Sequence, residues 1–516
     1  MSVAGLKPRG DPRLETPGWD PEVNDRAARL AMRLLAIANI AASLWYFAWL
    51  LQIRHAGHPG LYSLLVVAEL FNLTQAAGFW WTCAVQRVRA HLPPLLNAEV
   101  DVLIPVCNEP VTVVEPTVVA ATRLRGASVR VYLLDDGPDP QMQALAARCG
   151  VHYMTRPGNA GAKAGNINHA LARTSGEYVA VFDADHVADP RFFEHTLGQL
   201  TDERVAFVQT PQYYANNRDG GVASASWAQQ ALFFGAIARG KDRLGAMFCC
   251  GTNVVFRRTA LESVGGFPEE SITEDFQLSI RLHERGWKSV YVPTVLARGL
   301  GPPDMASYVS QQQRWARGCL SALPAAARAR LPWRLKLQYL LSAMFFLTGW
   351  TLAVYMSLPV IAILTGVLPI NVETAHEFLL RFGPYWSLTL LTVAVAGGRA
   401  YTVSALTLAS TTFWVHVAAS LSVALGRRGG FVVTPKTGAG TRQPRAVAPA
   451  LAAIAVLAGS TAYGVAVNLS PALISNAAFA LAHISVLTAG AWPALQRGRQ
   501  VGTELPAEEP SREPAA

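Results

Sequence analysis

Charge is what this chain has least of. Only 15% of its 516 residues are charged, and 51% are hydrophobic. Soluble chains average about 25% charged residues, so the deficit points to a membrane. Cysteine is sparse as well. Cys83, Cys107, Cys149, Cys249, Cys250 and Cys319 show no zinc-site spacing. All fall in the polar middle of the chain or at the end of an apolar run, which suits a reducing compartment without disulfides. No secretory leader is expected: the first 28 residues are polar and carry Pro8, Pro12, Pro17 and Pro21, with no short apolar core before a cleavage site. A single basic patch is missing too. The net charge is +9, but the basic residues gather beside apolar runs, as Arg87 with Arg89 and Arg427 with Arg428 do. That scatter argues against a nucleic-acid partner and follows the positive-inside rule for cytoplasmic loops.

Long apolar runs are abundant. Leu34–Ile53 carries no charge, Leu61–Gln86 carries only Glu69, and no acidic or basic residue occurs between Lys336 and Glu373. Two further runs cover 446–468 and 472–496. About 20 apolar residues cross a ~30 Å hydrocarbon core. The mixed-polarity region 98–334 and the basic loop 427–445 belong on the same side, so an even number of spans separates them. Two spans make 338–366 one long tilted span, 367–383 an outer loop and 384–398 a short span. Six spans in all is the preferred reading, and eight is the alternative. Both termini are cytoplasmic either way. Glu69, with Asn72 one turn on, is an intramembrane carboxylate. It suits either a hydroxyl-rich polymer in transit or a helix–helix hydrogen bond.

The resulting order is a polar tail (1–29), two membrane helices (30–86) and an inserted α/β domain (98–320). An interfacial segment (321–337) leads to two more spans (338–398). An interfacial helix (399–426), a basic cytoplasmic loop (427–445), two last spans (446–496) and a disordered tail (497–516) follow. The insert alternates strands at Val100–Val106, Val129–Leu134, Tyr178–Phe182 and Val205–Val208 with helical patterns such as 139–149 and 164–173. That alternation predicts a Rossmann-like, mostly parallel sheet. Such sheets bind ligands beyond the carboxyl ends of their strands. The acidic motifs Asp135-Asp136-Gly137 and Asp183-Ala184-Asp185 occupy that position.

Asp183 and Asp185 can share one divalent cation whose other positions are filled by phosphate oxygens; a solvated turn is the plain alternative. Lys163, flanked by Gly158, Gly161 and Gly165, can neutralise phosphate. Thr273-Glu274-Asp275 opens a helical pattern in which Thr273 reads as a cap. Asp275 reads as a general base for an acceptor hydroxyl, with Glu274 as its catalytic neighbour. Gln311, Arg314 and Trp315 precede a basic, Trp-bearing segment suited to a membrane interface. Arg314 can pair with a diphosphate bidentately, and Trp315 offers a flat face for a sugar ring.

Together with Phe431-Val432-Val433-Thr434-Pro435-Lys436, these motifs resemble the bacterial cellulose synthase catalytic subunit, a processive family 2 glycosyltransferase. The resemblance covers about residues 30–496. It implies a GT-A catalytic domain inserted in a transmembrane bundle. It also implies UDP at Asp135 and Asp136, a donor contact at Lys163, and Mg²⁺ (or Mn²⁺) with the diphosphate at Asp183 and Asp185. The base would be Asp275, and the acceptor site would be lined by Phe248-Cys249-Cys250-Gly251. Gln311, Arg314 and Trp315 would flank the channel mouth. Phe431, Val433, Thr434 and Lys436 would form a gating loop over the donor. There are departures: two spans are expected before the insert instead of four, Cys107 replaces an aromatic residue, and with a tail of 20 residues no PilZ domain is expected.

The implied activity is polymerisation of UDP-glucose into a β-glucan, with translocation of the growing polysaccharide across the bilayer of a bacterial cytoplasmic membrane. An accessory subunit is left open as a partner. Another β-linked polymer, a transporter with an inactive insert, or a glycoside hydrolase using paired carboxylates are the rivals. The loop reading has a direct consequence, because loop closure excludes water and completes a site. The double change Phe431→Ala with Thr434→Ala should cut polymer synthesis by at least about tenfold, while membrane insertion and topology stay intact. Full synthesis by the double variant would reduce the loop to a topological anchor.

Overall fold

The computed structural model describes residues 26–87, 89–372, 374–427, 441–467 and 470–496. The main sheet has seven strands. They are β1 (Glu99–Val106), β2 (Ser128–Asp135), β3 (His152–Thr155), β4 (Tyr178–Val181), β5 (Val205–Gln209), β6 (Val254–Arg257) and β7 (Lys288–Tyr291). Their spatial order is β3-β2-β1-β4-β6-β5-β7. Every neighbouring pair is parallel except the two made by β6, which runs antiparallel between β4 and β5. Strands alternate their side chains between two faces, and here both faces are covered. Val100, Val102, Ile104 and Val106 of β1 enter one core with Val118 and Leu145 from flanking helices. Leu103 enters the other with Ile167, Leu278 and Leu282. Burial on both faces is why the strands read as continuous apolar runs.

The antiparallel β6 went unanticipated in the sequence reading. Its four residues follow the apolar Met247–Cys250 without a turn signature, although Gly251 (φ +81°) and Asn253 (φ +55°) supply the reversal. The consequence is large. A strand running the opposite way begins at the edge where its parallel neighbours end, so Phe248–Asn253 is delivered beside the strand ends that carry Asp135 and Asp183. A small three-stranded sheet, with Ala297–Gly299 between Val187–Ala188 and Tyr213–Tyr214, braces the same edge.

The helices used below are α1 (Arg26–Leu50), α2 (Pro59–Ala84), α3 (Ala162–Leu171), α4 (Ala238–Arg243), α5 (Glu274–Glu284), α6 (Met305–Arg328) and α7 (Trp333–Met344). They continue with α8 (Thr348–Thr365), α9 (Ala375–Gly397), α10 (Val403–Thr411), α11 (Phe413–Ala424), α12 (Ala448–Val467) and α13 (Pro471–Leu495). Among the described residues six helical stretches are long and apolar enough to span a membrane: α1, α2, Trp333–Thr365, α9, Pro444–Val467 and α13. The fold is therefore a GT-A-like mixed α/β domain flanked by candidate membrane helices. α10 and α11 form a bent pair, angled at 42°, over the stretch expected to lie along the interface.

Two boundaries differ from expectation. α9 begins at Ala375, nine residues before the expected start at 384. The Thr374 hydroxyl caps it by accepting from Glu377 N at 3.1 Å, and Pro384 is carried inside the helix. Thr374 with Glu377 is a capping-box pattern, a start signal that carries the helix back into the stretch expected to be an outer loop. α6 runs unbroken through residues 320 and 321, where the insert was expected to end. It starts at Asp304, whose carboxylate accepts from Ser307 N at 2.9 Å.

The α/β domain meets the bundle through close backbone contact. At Gly240 in α4, a Cβ would lie 2.0 Å from the carbonyl oxygen of Thr82 in α2. Backbone on both sides of that contact cannot yield as a side chain can. Gly240→Ala should therefore destabilise the protein by about 1–3 kcal/mol, read as a lower melting midpoint of the detergent-solubilised chain. An unchanged midpoint would mean the joint is loose.

Candidate active site

The carboxyl edge of the sheet opens into a cavity of ≈ 650 Å³. Its wall brings together Asp136, Lys163, Asp183, Asp185, Cys250, Gly251, Glu274, Asp275, Gln311, Arg314 and Trp315. These residues come from β2, α3, β4, the lead into β6, α5 and α6, and span 180 positions of sequence.

Lys163 is the centre of the arrangement. It lies in the first turn of α3, where the positive end of the helix dipole opposes a cation. That cost is offset by its partners: the ammonium is hydrogen-bonded to the Asp183 carboxylate and donates to the Gly251 carbonyl at 2.8 Å. Burial works against its charge, but Asp183, Glu274 and Asp275 outweigh burial and hold its pKa above the ordinary lysine value. Asp183 answers in kind. Burial would raise its pKa, yet Lys163 and His186 pull it below the usual carboxylate range. Its backbone N–H donates to Thr252 Oγ1 at 2.8 Å. Gly165, one turn along α3, permits the loop before the helix to fold back, since a Cβ there would sit 2.1 Å from the Ala160 oxygen.

Asp185 is buried, and its Oδ2 accepts from Leu300 N at 2.9 Å, just beyond the small sheet. Its Oδ1 lies 3.6 Å from Nδ1 of buried His186. Among the described residues no group of three or more His, Cys, Asp or Glu is arranged to hold a metal. The carboxylates of Asp183 and Asp185 nonetheless suit a hard divalent cation that takes one or two protein oxygens and completes its shell with substrate phosphates.

Asp275 and Glu274 open α5. Phe276 N donates to Asp275 Oδ1 at 2.7 Å. Burial, reinforced by the adjacent Glu274, pushes Asp275 up to about 7, against the opposing pull of Lys163 and Arg314. Burial raises Glu274 as well. A Cβ at Gly251 would lie 3.1 Å from Asp275 Oδ2, so the left-handed glycine keeps that oxygen approachable. The segment before it is pinned: Cys249 N donates to Ser279 Oγ at 2.7 Å, and Cys250 N to Gln209 Oε1 at 2.8 Å.

Several sequence assignments take a different shape here. Asp135 is buried beneath the cavity, not on its wall. Its oxygens accept from Gly137 N at 2.9 Å, Asp139 N at 3.0 Å and Tyr153 Oη at 2.8 Å, which fixes the turn that presents Asp136. Asp136 is itself gripped by Arg156, at 2.6 and 2.8 Å. Thr273 stands at the N-cap position of α5 but makes no capping hydrogen bond. Its side chain instead meets Gly318 of α6, where a Cβ would lie 2.2 Å from Cγ2. Cys107 lines the cavity. Phe431, Val433, Thr434 and Lys436 lie outside the described residues.

Sequence reading missed Glu109, His186, Gln212 and Tyr214, all on the cavity wall. Glu109 follows β1 at the same edge as the acidic motifs, a position that could have flagged it. Its carboxylate accepts from Cys107 N, and burial, with Asp185 and Asp183 nearby, raises its pKa. Arg156 left no such signal, because its pairing with Asp136 exists only once β3 is laid beside β2.

Residues 178–419 match the family model described as Glycosyl transferase family group 2. The chain is 35% identical over 311 residues to the protein named cellulose synthase catalytic subunit [UDP-forming] of Xanthomonas axonopodis pv. citri, covering 57% of this chain and 43% of that one. It is 32% identical over 363 residues to cellulose synthase 1 of Komagataeibacter xylinus, covering 67% of this chain and 23% of that one. The chain thus spans less than half the length of these curated relatives. In fold it is similar to a mannosyltransferase from Pyrobaculum calidifontis, solved in complex with GDP-Man and Mn²⁺. The TM-score is 0.54 at 17% identity, over 71% of this chain and 100% of that one. By its motifs, sheet and relatives, the chain is similar to cellulose synthase catalytic subunits, and its residues 178–419 match glycosyl transferase family group 2.

Proposed function

We propose that the protein is a processive, inverting glycosyltransferase that polymerises UDP-glucose into a β-glucan of the cellulose type and passes the product through its membrane helices. One observation carries this reading. A half-buried carboxylate pushed up to about 7, Asp275, shares a cavity with the Lys163–Asp183 pair and with Arg314. That is a general base next to a site for phosphate charge.

In this reading the donor diphosphate lies against Lys163 and Arg314, and the sugar lies near the flat face of Trp315. Asp275 accepts the proton of the acceptor hydroxyl. The freed oxygen attacks the anomeric carbon in line, the bond to UDP breaks, and an α-linked donor yields a β-linked product. Asp183 and Asp185 would hold Mg²⁺ or Mn²⁺, which when bound supplies positive charge to the departing diphosphate. Lys163 and Arg314 stabilise the same developing charge within a partly dry cavity. The name of the Xanthomonas relative, cellulose synthase catalytic subunit [UDP-forming], supports the nucleotide. The six candidate spans support a multi-pass membrane protein. The basic residues Arg328, Arg330 and Arg334 support a cytoplasmic active site in a bacterial inner membrane.

The direct test incubates purified protein with UDP-glucose or UDP-GlcNAc and digests the product with linkage-specific hydrolases. A glucose polymer cut by a β-1,4-glucanase is expected. A GlcNAc polymer, or no polymer, would overturn the assignment. In Asp275→Asn synthesis should fall by at least about 10², with UDP binding retained.

The environment of Asp275 also sets a pH dependence. A base works ionised, so kcat/KM should rise with pH through about 7 and level off above it. Glu274→Gln removes the neighbouring negative charge that helps raise Asp275, and the acid limb should move to lower pH. An unmoved limb would show that another group titrates there.

A further inference from the structure

The reaction just described leaves one buried cation unused. Lys241 lies in α4, seven residues before Phe248, with 4% of its surface exposed. Its ammonium donates to Ser342 Oγ at 2.8 Å, to Gln338 Oε1 at 3.1 Å and to the Gln338 carbonyl at 3.4 Å. All three acceptors are neutral and all belong to α7, the start of the third candidate span. Among the described residues no carboxylate pairs with Lys241. The adjacent Asp242 is taken by Arg89, whose Nε reaches both oxygens at 2.8 and 2.9 Å, and by Tyr291 N at 3.0 Å.

A buried ammonium without an anion is costly, and burial pulls its pKa down to about 7. Apolar side chains of similar volume usually fill such a place at lower cost. What the ammonium adds is a directional joint. Gln338 continues it by donating to Thr82 Oγ1 of α2 at 2.9 Å. On the other side, Lys241 Nζ stands 5.4 Å from the centre of the Phe248 ring. That ring packs edge-on against Phe276 at 5.0 Å, the neighbour of Asp275, and Phe248 begins the segment that ends in Gly251. A second contact runs in parallel: Tyr339 of α7 meets His283 Nδ1 of α5 at 2.7 Å.

We propose that Lys241 is a positioning residue, which locks the Phe248–Gly251 segment, and through Phe276 the base Asp275, in register with the membrane helix α7. This deepens the glycosyl-transfer reading and rests on it for the consequence in catalysis. The geometry matters because an error near 1 Å in placing an acceptor against its base costs up to about 10² in rate.

The test uses the full chain in detergent with two variants. Lys241→Met keeps an unbranched side chain, one atom shorter, and removes the three hydrogen bonds. Ser342→Ala removes one of them from the membrane side. Turnover is normalised to the number of UDP-binding sites, so partial misfolding cancels. Lys241→Met should lower turnover per site about tenfold or more, with the Kd for UDP unchanged within about twofold. Ser342→Ala should move it the same way by less. Hydrogen exchange of the amides of 248–251 should quicken in both variants, while the amides of β1 and β4 stay protected. The exchange readout does not depend on catalysis. If the wild-type chain transfers no sugar, the functional reading fails, and faster exchange confined to 248–251 still upholds the joint. Unchanged exchange at 248–251 in Lys241→Met overturns the proposal, as does unchanged turnover per site in a chain that transfers sugar.

Discussion

The ammonium of Lys163 is the contact on which the site depends. It joins the start of α3, the end of β4 at Asp183 and the backbone of Gly251 ahead of β6. Those three segments lie on different elements, and this one side chain ties them together. The pairing is also self-consistent electrostatically. A lysine in the first turn of a helix is unfavourable, and a half-buried aspartate alone is unfavourable. Placed together they stabilise each other, and the pair holds the strand end and the glycine turn at a fixed distance. A phosphate entering the cavity would meet a cation already held in place, with little reorganisation left to pay.

The same cavity runs two carboxylates in opposite directions. Asp183 is drawn below the ordinary range by Lys163, whereas Asp275 is pushed up to about 7 by burial beside Glu274. Environments that separate like groups in this way divide acid–base roles within one site. Asp183 stays ionised at neutral pH and suits holding charge. Asp275 sits where proton uptake and release are both accessible. Neither behaviour belongs to the residue type; each comes from what the fold packs around it.

Close packing on α2 and polar contacts on α7 join the α/β domain to the candidate membrane helices. Gly240 against Thr82, Lys241 against Gln338 and Ser342, and His283 against Tyr339 form one seam. Helix–helix contact inside a bilayer gains little from the hydrophobic effect, so directional bonds are what can fix orientation at its edge. α5, which carries Asp275, and the Phe248–Gly251 segment both attach to that seam. The cavity-bearing edge is thereby referenced to the helix bundle as well as to the sheet.

The sequence by itself determined the class of the protein. Apolar runs with almost no charge pointed to six spans, because burying charge in hydrocarbon is expensive. Strand runs followed by Asp136, and by Asp183 and Asp185, marked the sheet edge, because ligands gather at the carboxyl ends of parallel strands. Lys163, Asp275, Arg314 and Trp315 were legible as residue types suited to phosphate, proton transfer and sugar stacking. Tertiary structure decided the rest. Asp135 sank beneath the wall because its oxygens were claimed by the turn after β2, and Asp136 acquired Arg156 only when β3 lay alongside. The reversed strand β6 brought Gly251 to Asp275, a meeting of segments 24 positions apart that no local pattern encodes. The Lys241 joint is of the same kind. Its partners lie 97 and 101 residues away. Local propensity is set by neighbours in the chain, whereas a hydrogen bond across that separation exists only once both helices are packed.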